Sequence, residues 1–301
     1  MLDSGSTWGN DRRLPLLFCR GRSPRNKEMD RTLLADLALA RRLERTEARV
    51  SVMCAEALAR LRPESGAAFE EVAGGYSVFT GVNSPLTQAI GLGLNGAVSE
   101  AEMEQLENFF RSRGDAVRVE TCPLADPSLV GLFGRRAYRV TEYSNVLVQA
   151  LKRGETWPAE APGLAVEPVG SADAERWART VAQGFAEHFP VTPELLEVLV
   201  LFCHNPAAKC YLARVDGEPA GGAALSILDG IAGIYGASTV PAFRNRGVQT
   251  SLLRVRLSRA AAEGCELAMT VTQPGSRSQR NVERLGFRVV YTRSKFAREW
   301  G

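Results

Sequence analysis

The fold is decided by the stretch VPAFRNRGVQ at positions 240–249, which joins an apolar run to a helical pattern. The run 231–240 predicts a buried strand, and the leucines that recur from Leu252 onward predict a helix that stops at Gly264. Free backbone N–H groups and the positive end of the helix dipole collect at such a turn. Two arginines flank them, so the turn predicts a binding site for a phosphate-rich anion.

Within this turn, the pattern Arg244-x-x-Gly247-x-Gln249 resembles the pyrophosphate loop of the GNAT acetyltransferases, which bind acyl-CoA. That loop usually ends in glycine or alanine, so Gln249 departs from it and would crowd the diphosphate unless its side chain points away along the helix. The alternative is an arginine-rich turn that is merely solvated. The resemblance implies acetyl-CoA as the cosubstrate. It implies that the residues binding it are Ser238, Thr239, Val240, Arg244, Asn245, Arg246, Gly247, Val248, Gln249, Thr250 and Asn281.

A second segment, PGSRSQRNVERLGF at positions 274–287, resembles the other end of the GNAT cofactor site, where a helix with Asn and Arg leads to Gly-Phe. By that resemblance, Asn281 would hydrogen-bond the pantetheine or nearby CoA groups. Arg280 or Arg277 would pair with the 3′-phosphate. A plain basic helix is the alternative, but the two segments and their spacing together make the resemblance specific.

The two halves of the chain are alike. The letters AYRV at 137–140 hold the place that GFRV holds at 286–289, and Gly114 matches Gly264. The chain therefore resembles a tandem GNAT protein. The resemblance implies an α/β (α+β) fold of two domains, each with a mixed, mostly antiparallel central sheet flanked by helices. We expect a disordered tail at 1–28, a degenerate GNAT-like domain at 29–151, a linker at 152–163 and a catalytic GNAT domain at 164–301.

Three further patterns predict particular strands. Residues 138–151 predict either one long strand or a bent pair. Asp216-Gly217 between two apolar runs predicts a hairpin turn. The run 287–296 is expected to close the sheet.

The first half lacks the basic loop. The corresponding position falls near Gly96, with no Arg or Lys nearby, and a capping box opens at Ser99 with Glu100 and Glu102 in the first turn. Carboxylates there would repel a diphosphate. We interpret this half as structural, with binding of some other ligand as the alternative. The glycine pattern at 91–96 predicts a strand leading into a loop, because a dinucleotide site would not open its helix on acidic residues.

Composition and charge restrict the class of protein. An apolar content of 45% and a charged content of 24% predict a soluble globular protein. The formal charge is +3, but residues 1–28 hold six Arg or Lys against three Asp or Glu, which leaves 31 against 31 elsewhere. This distribution argues against nucleic acid as a partner. No apolar run reaches the ~18–20 residues of a membrane span. We interpret the tail as flexible or as an over-extended reading frame, with a docking arm as the alternative.

Cysteine and histidine usage argues against a metal site. The six cysteines include no Cys-x-x-Cys pair, and there are only two histidines. This pattern does not predict a zinc site. Scattered thiols predict a cytoplasmic location, where they stay reduced.

The resemblance also implies a mechanism, the direct transfer of an acetyl group from acetyl-CoA to an amine. The strand that ends at Val240 and the strand at 267–272 should splay apart, with the pantetheine between them. A main-chain N–H near Ala237 or Ser238 would then polarise the thioester carbonyl, as in an oxyanion hole.

The attacking amine must be neutral. For an amine of pKa ~10.4, deprotonation at pH 7 costs roughly 4.6 kcal/mol, so the site needs a base, a water chain or a substrate of low pKa. Glu187, beside His188, is the candidate base, with a simply solvated pair as the alternative. The family's usual acid is a tyrosine at the place of Val282. Tyr291 or Tyr235 could replace it, and packing of Tyr291 in the core is the alternative.

Two functions follow from these patterns. The first is an acetyl-CoA-dependent N-acyltransferase that acts on a small-molecule or peptide amine. The second is a non-catalytic acyl-CoA sensor or scaffold, which the missing tyrosine and the missing strand carboxylate would fit. The sequence does not indicate the oligomeric state.

Overall fold

The computed structural model describes residues 35–158, 163–186 and 190–300. The predicted tail at 1–28, Glu187 and His188 lie outside these ranges. The helices are α1 Leu37–Leu61, α2 Glu100–Arg111, α3 Pro127–Arg135, α4 Ala174–Phe185, α5 Pro193–His204, α6 Val248–Ala262 and α7 Arg277–Arg284. The strands are β1 Ala68–Val72, β2 Gly75–Phe79, β3 Gln88–Ile90, β4 Val117–Thr121, β5 Arg139–Ala150, β6 Leu164–Val169, β7 Ala208–Val215, β8 Glu218–Leu228, β9 Ile231–Thr239, β10 Leu267–Thr272 and β11 Arg288–Arg298.

Local chemistry sets where these elements begin and end. The capping box is confirmed, since the Ser99 hydroxyl accepts from the Glu102 N–H and the Glu102 carboxylate accepts from the Ser99 N–H. The predicted hairpin turn is also confirmed, because Asp216 and Gly217 have φ of 53° and 86° and join β7 to β8. Of the two alternatives for 138–151, the structure has one long strand, β5.

The eleven strands of the described ranges lie in one sheet with the order β1-β2-β3-β4-β11-β5-β10-β9-β8-β7-β6. The β3–β4 and β9–β10 pairs are parallel, and the other pairs are antiparallel. The predicted α/β class with a mixed, mostly antiparallel sheet is therefore confirmed. Among the helices in the described ranges, none combines the length and the apolar composition that a membrane crossing requires.

The final strands of the two halves are exchanged at the centre of the sheet. Strand β11 lies between β4 and β5, and β5 in turn lies between β11 and β10. The expectation that 287–296 closes the sheet is therefore wrong. In this position β11 has a backbone partner on each edge, whereas a strand at the end of the sheet would leave one edge unpaired.

The sheet separates two helical layers. On β9, Ala232 and Ile234 pack with Leu252 of α6, while Ile231 on the opposite face packs with Leu43 of α1. Helices α4 and α5 lie on the α1 side, where Trp177 packs against Ala224 of β8. Since side chains alternate along a strand, Gly233 and Tyr235 share the α1 side with Ile231.

The two halves share one order of elements, β3-α2-β4-α3-β5 in the first and β9-α6-β10-α7-β11 in the second. Gly114 and Gly264 follow α2 and α6 with φ of 69° and 81°. These are left-handed helix ends that favour glycine. That the first half is a degenerate copy stays a prediction.

Candidate cofactor site

The turn between β9 and α6 has the backbone that its sequence predicts. Residues Pro241–Phe243 form one 3-10 turn, and Asn245 and Gly247 have φ of 63° and 81°. Helix α6 begins at Val248, and its first internal hydrogen bond runs from the Ser251 N–H to the Gly247 carbonyl, at 2.9 Å. The left-handed φ at Gly247 penalises residues with a Cβ.

The N-terminus of α6 is open. Within the described part of the chain, no side chain caps it, so the first N–H groups of the helix remain available to an anion. The equivalent end of α2 is filled by Ser99 and Glu102. There, the Ser99 backbone and hydroxyl hydrogen bonds lower the pKa of Glu102, so a carboxylate already occupies the place of a phosphate.

The two arginines of the turn make different contacts. Arg246 Nη2 donates to Asp216 Oδ2 at 2.7 Å, and both side chains are exposed. Such a pair contributes at most about 1 kcal/mol, so Arg246 can turn toward a ligand at little cost. Arg244 Nη2 lies 3.5 Å from the Gly184 carbonyl of α4. Both guanidinium groups therefore belong to the rim of the turn.

Gln249 points toward α7, and Asn281 Nδ2 donates to Gln249 Oε1. Asn281 Oδ1 also accepts from Arg284 Nη1, at 3.3 Å. The structure thus brings together the two segments that carry the sequence resemblance. The Gln249 side chain extends sideways to the neighbouring helix α7. This direction keeps it away from the helix end, which a glutamine in place of the usual small residue would otherwise crowd.

A gap opens between β9 and β10 next to this turn. The strands pair in parallel from Ile231↔Leu267 to Gly233↔Met269, and no pair follows, although β9 continues to Thr239. The predicted splaying of these strands is present. Among the described residues, one edge of β9 therefore has no strand partner over the last residues of the strand.

Strand β9 also carries a bulge in this segment. Tyr235 pairs with Ala224 and Ser238 with Gly222, so Gly236 and Ala237 together oppose a single residue of β8. Gly236 has a φ of 57°. A bulge redirects the backbone N–H groups beside it. It lies where the sequence predicts a carbonyl-polarising N–H.

Arg256 of α6 supports the bulge. This residue was not predicted from the sequence. Its Nη1 donates to the Ala224 and Tyr235 carbonyls at 2.9 and 3.2 Å, and its Nε donates to the Leu252 carbonyl at 3.0 Å. Burial lowers its pKa to about 9. The available signal was an arginine four residues after Leu252 on the apolar face of α6.

Ser238 is buried, and its hydroxyl donates to the Val181 carbonyl of α4 at 2.8 Å. Helix α4 comes close here because it carries Gly184, where an added Cβ would lie 2.3 Å from Ser238 Oγ. The Ser238 side chain therefore joins α4 to the sheet. Its predicted roles in catalysis and cofactor binding stay predictions.

Tyr291 is buried on β11, where its hydroxyl donates to Glu44 Oε1 of α1 at 2.8 Å. Burial raises its pKa. Tyr291 therefore packs in the core, and its predicted role as the acid stays a prediction. Glu44 itself was missed, although residues 40, 44, 47 and 51 follow the helical spacing of a buried face. Among the described residues, no three His, Cys, Asp or Glu side chains lie close enough together to hold a metal ion.

Comparison with known proteins supports this geometry. Residues 174–287 match the family model "Acetyltransferase (GNAT) family". The matched segment runs from the start of α4 to the residue before β11, so it includes the open helix end, the strand gap and Asn281. No curated protein matches the sequence.

Solved structures match over most of the chain. A GCN5-related N-acetyltransferase from Kribbella flavida is 18% identical, with a TM-score of 0.59 over 84% of this chain and 96% of that one. Another from Sphaerobacter thermophilus is 17% identical, with a TM-score of 0.54 over 88% and 94%. A tandem GNAT protein from the clavulanic acid biosynthesis pathway is 15% identical, with a TM-score of 0.57 over 83% and 88%. At these identities the likeness shows the fold, which is that of GNAT proteins.

Proposed function

We propose that this protein is an acyltransferase that moves an acetyl group from acetyl-CoA to an amine. The observation that carries the proposal is the uncapped N-terminus of α6, next to the gap between β9 and β10. The match of residues 174–287 to the GNAT family model supports an acyl-CoA-dependent acyltransferase.

The cofactor would lie along one path through the second half. Its diphosphate would accept hydrogen bonds from the N–H groups at 245–250, with Arg244 and Arg246 at the rim. The pantetheine would follow the free edge of β9 at 238–240. Arg277 and Arg280 are exposed at α7 and are available to the 3′-phosphate. Asn281, together with Gln249, would border this path.

The bulge would supply the electrostatic part of catalysis. A backbone N–H near Ala237 or Ser238 would donate to the thioester carbonyl oxygen as negative charge develops there. The amine nitrogen would attack the carbonyl carbon, the carbon–sulfur bond would break, and the proton lost by nitrogen would reach the thiolate. Arg256 would hold the backbone of the bulge in place.

The proposals for the two proton-transfer residues, Glu187 and Tyr291, rest on different observations. Glu187 as the base rests on its position in the sequence after α4. The Tyr291 hydroxyl donates a hydrogen bond to Glu44. We therefore propose that Tyr291 positions this carboxylate, and that a water molecule protonates the thiolate. The first half, proposed as a separate domain at 29–151 joined through 152–163, would shape the acceptor side of the gap.

A non-catalytic acyl-CoA sensor is the second candidate. It is favoured by Val282, which is buried in α7 at the place of the family's tyrosine. Thiol release from acetyl-CoA, measured with a panel of amines, separates the two. Turnover with any amine supports the transferase. Calorimetric binding of acetyl-CoA without turnover on any amine supports the sensor.

A further inference from the structure

We propose that a buried polar cluster on the α1 side of the strand gap binds the primary ammonium group of the acyl acceptor. The cluster consists of Glu44 and Glu47 of α1 with Tyr291 and Arg293 of β11, which are joined by hydrogen bonds, and of Tyr235 of β9. Burial and the charges of Glu47 and Glu44 raise the pKa of Tyr235, so its ring lies near these carboxylates. The assignment rests on the proposed function, because it names the class of acceptor for the same gap.

Tyr235 places the cluster beside the gap. It lies two residues beyond Gly233, which is the last residue of β9 that pairs with β10. Its ring covers Gly233, where an added Cβ would lie 2.2 Å from Tyr235 Cε2. Because Tyr235 shares the α1 face of the sheet with Ile231, its hydroxyl points away from the cofactor helix α6 and toward α1. An acceptor that enters from this side would meet the cluster before the thioester.

With Glu44 and Glu47 both ionised, the cluster would carry a net negative charge. Arg293 Nε donates to Glu44 Oε1 at 2.7 Å, and Arg293 Nη2 donates to Glu47 Oε2 at 2.6 Å. The side chains of Arg293 and Glu44 are 0% exposed, and that of Glu47 is 16% exposed. Two carboxylates joined to one guanidinium sum to −1. A buried negative charge is costly unless a cation or a proton accompanies it.

Three polar atoms of this cluster are buried and have no hydrogen-bond partner among the described residues. They are Glu44 Oε2, Tyr235 Oη and Arg293 Nη1. An unpartnered buried polar atom loses its hydrogen bonds to water without replacement, so three in one cluster indicate a missing occupant. Glu44 Oε2 and Tyr235 Oη can both accept from an ammonium group. Arg293 Nη1 is a donor and would take a water molecule or an oxygen of the acceptor.

A second buried glutamate, Glu107 of α2, has a hydrogen-bond partner for each of its two oxygens. Glu107 of α2 accepts through Oε1 from Arg298 at 2.6 Å and from Tyr138 at 3.3 Å. Its Oε2 accepts from Arg136 at 3.0 Å. Both oxygens are satisfied, and three arginines, Arg111, Arg136 and Arg298, lie within 4.0 Å of this carboxylate. Glu107 therefore provides a matched control for Glu44.

A proton and an ammonium group would compete for Glu44. Burial raises the pKa of Glu44, Arg293 opposes the rise, and Glu47 adds to it. The other titratable groups facing this carboxylate include Tyr291, Tyr235 and the Cys122 thiol, whose pKa is raised to about 12 by burial and by Glu44. In those molecules in which Glu44 is protonated, the binding of an ammonium group would release this proton.

Calorimetry tests the ammonium site directly. The full-length protein is saturated with an unreactive ketone analogue of acetyl-CoA and titrated with n-butylammonium, with n-butanol as the uncharged comparison. The titration is repeated in buffers of different ionisation enthalpy, because proton release then appears as a buffer-dependent heat. We expect the wild type to bind n-butylammonium with proton release and not to bind n-butanol.

Substitutions at three positions distinguish ammonium binding by the cluster from a purely structural role. Glu44→Gln is expected to weaken the binding of n-butylammonium at least about tenfold, because a charge-assisted contact is lost. It is also expected to abolish proton release, because the glutamine amide does not titrate. Glu107→Gln is expected to change neither. Tyr235→Phe, which removes a hydroxyl without a partner, provides a second variant should Glu44→Gln fail to fold, and is expected to weaken binding several-fold.

Each remaining outcome has one meaning. No n-butylammonium binding to the wild type, or equal binding by wild type, Glu44→Gln and Tyr235→Phe, overturns the ammonium site. Binding of the CoA analogue is recorded in the same titrations. Its absence from the wild type overturns the proposed function instead, so the two failures are distinguishable.

Discussion

Asn281 donates a hydrogen bond to Gln249, and this contact joins α7 to the first turn of α6. It explains how a long side chain is accommodated at a loop position where the GNAT pattern has a small one. Gln249 reaches sideways to α7, so the helix end itself stays open.

Truncating Gln249 should therefore change acetyl-CoA binding little. In Gln249→Ala we expect the dissociation constant to stay within about threefold of the wild type, because only one side-chain hydrogen bond is lost. Isothermal calorimetry measures it. A large gain in affinity would show instead that the Gln249 side chain obstructs the diphosphate.

Removing both arginines of the turn should weaken the binding of acetyl-CoA. The double variant Arg244→Ala, Arg246→Ala is expected to lose about 2–5 kcal/mol of acetyl-CoA binding free energy, as two charge-assisted contacts disappear. Arg259→Ala, near the opposite end of α6, is the control and should bind normally. Unchanged affinity in the double variant would refute the assignment of the loop.

Gly247 allows a particularly well-matched comparison. Gly247 and Gly264 lie at the two ends of α6, and both have a φ of 81°. Valine at either position should cost similar stability, since the backbone strain is the same. Only Gly247→Val places a β-branched side chain at the open helix end, so only this variant should lose acetyl-CoA binding.

Thermal unfolding and calorimetry on both glycine variants provide the measurement. Equal loss of stability with selective loss of binding is the expected result. Normal binding by Gly247→Val, or equal loss of binding by Gly264→Val, would contradict it.

The local patterns of the chain predicted much of the fold. The capping box at Ser99, the hairpin turn at Asp216 and the contact of Gln249 with Asn281 all depend on residues close in sequence or on one recurring motif. The central place of β11 was predicted wrongly, because strand exchange depends on pairing with β4 and β5 of the other half.

The Glu44 cluster could not be predicted for a similar reason. Glu44 and Arg293 are separated by 249 positions and meet only when α1 packs on the completed sheet. On the sequence, Glu44 is one of several glutamates on a charged helix. Its significance depends on burial and on an oxygen without a partner, which only the folded chain displays.

The raised pKa of Glu44 has a consequence for stability. A glutamate whose pKa is higher in the folded than in the unfolded protein stabilises the fold at low pH, and this contribution is lost as pH rises through the folded value. As pH rises, the free energy of unfolding of the wild type should therefore fall by an amount that Glu44→Gln does not lose. Melting temperatures measured from pH 4 upward should show the variant gaining relative to the wild type. Parallel curves would contradict the raised pKa.

A crystal structure of the protein with acetyl-CoA tests the central claim most directly. We expect diphosphate oxygens within hydrogen-bonding distance of the N–H groups between Gly247 and Thr250, and the pantetheine between β9 and β10. Acetyl-CoA bound elsewhere, with the N-terminus of α6 facing only solvent, would contradict the proposed site and the acyltransferase function that depends on it.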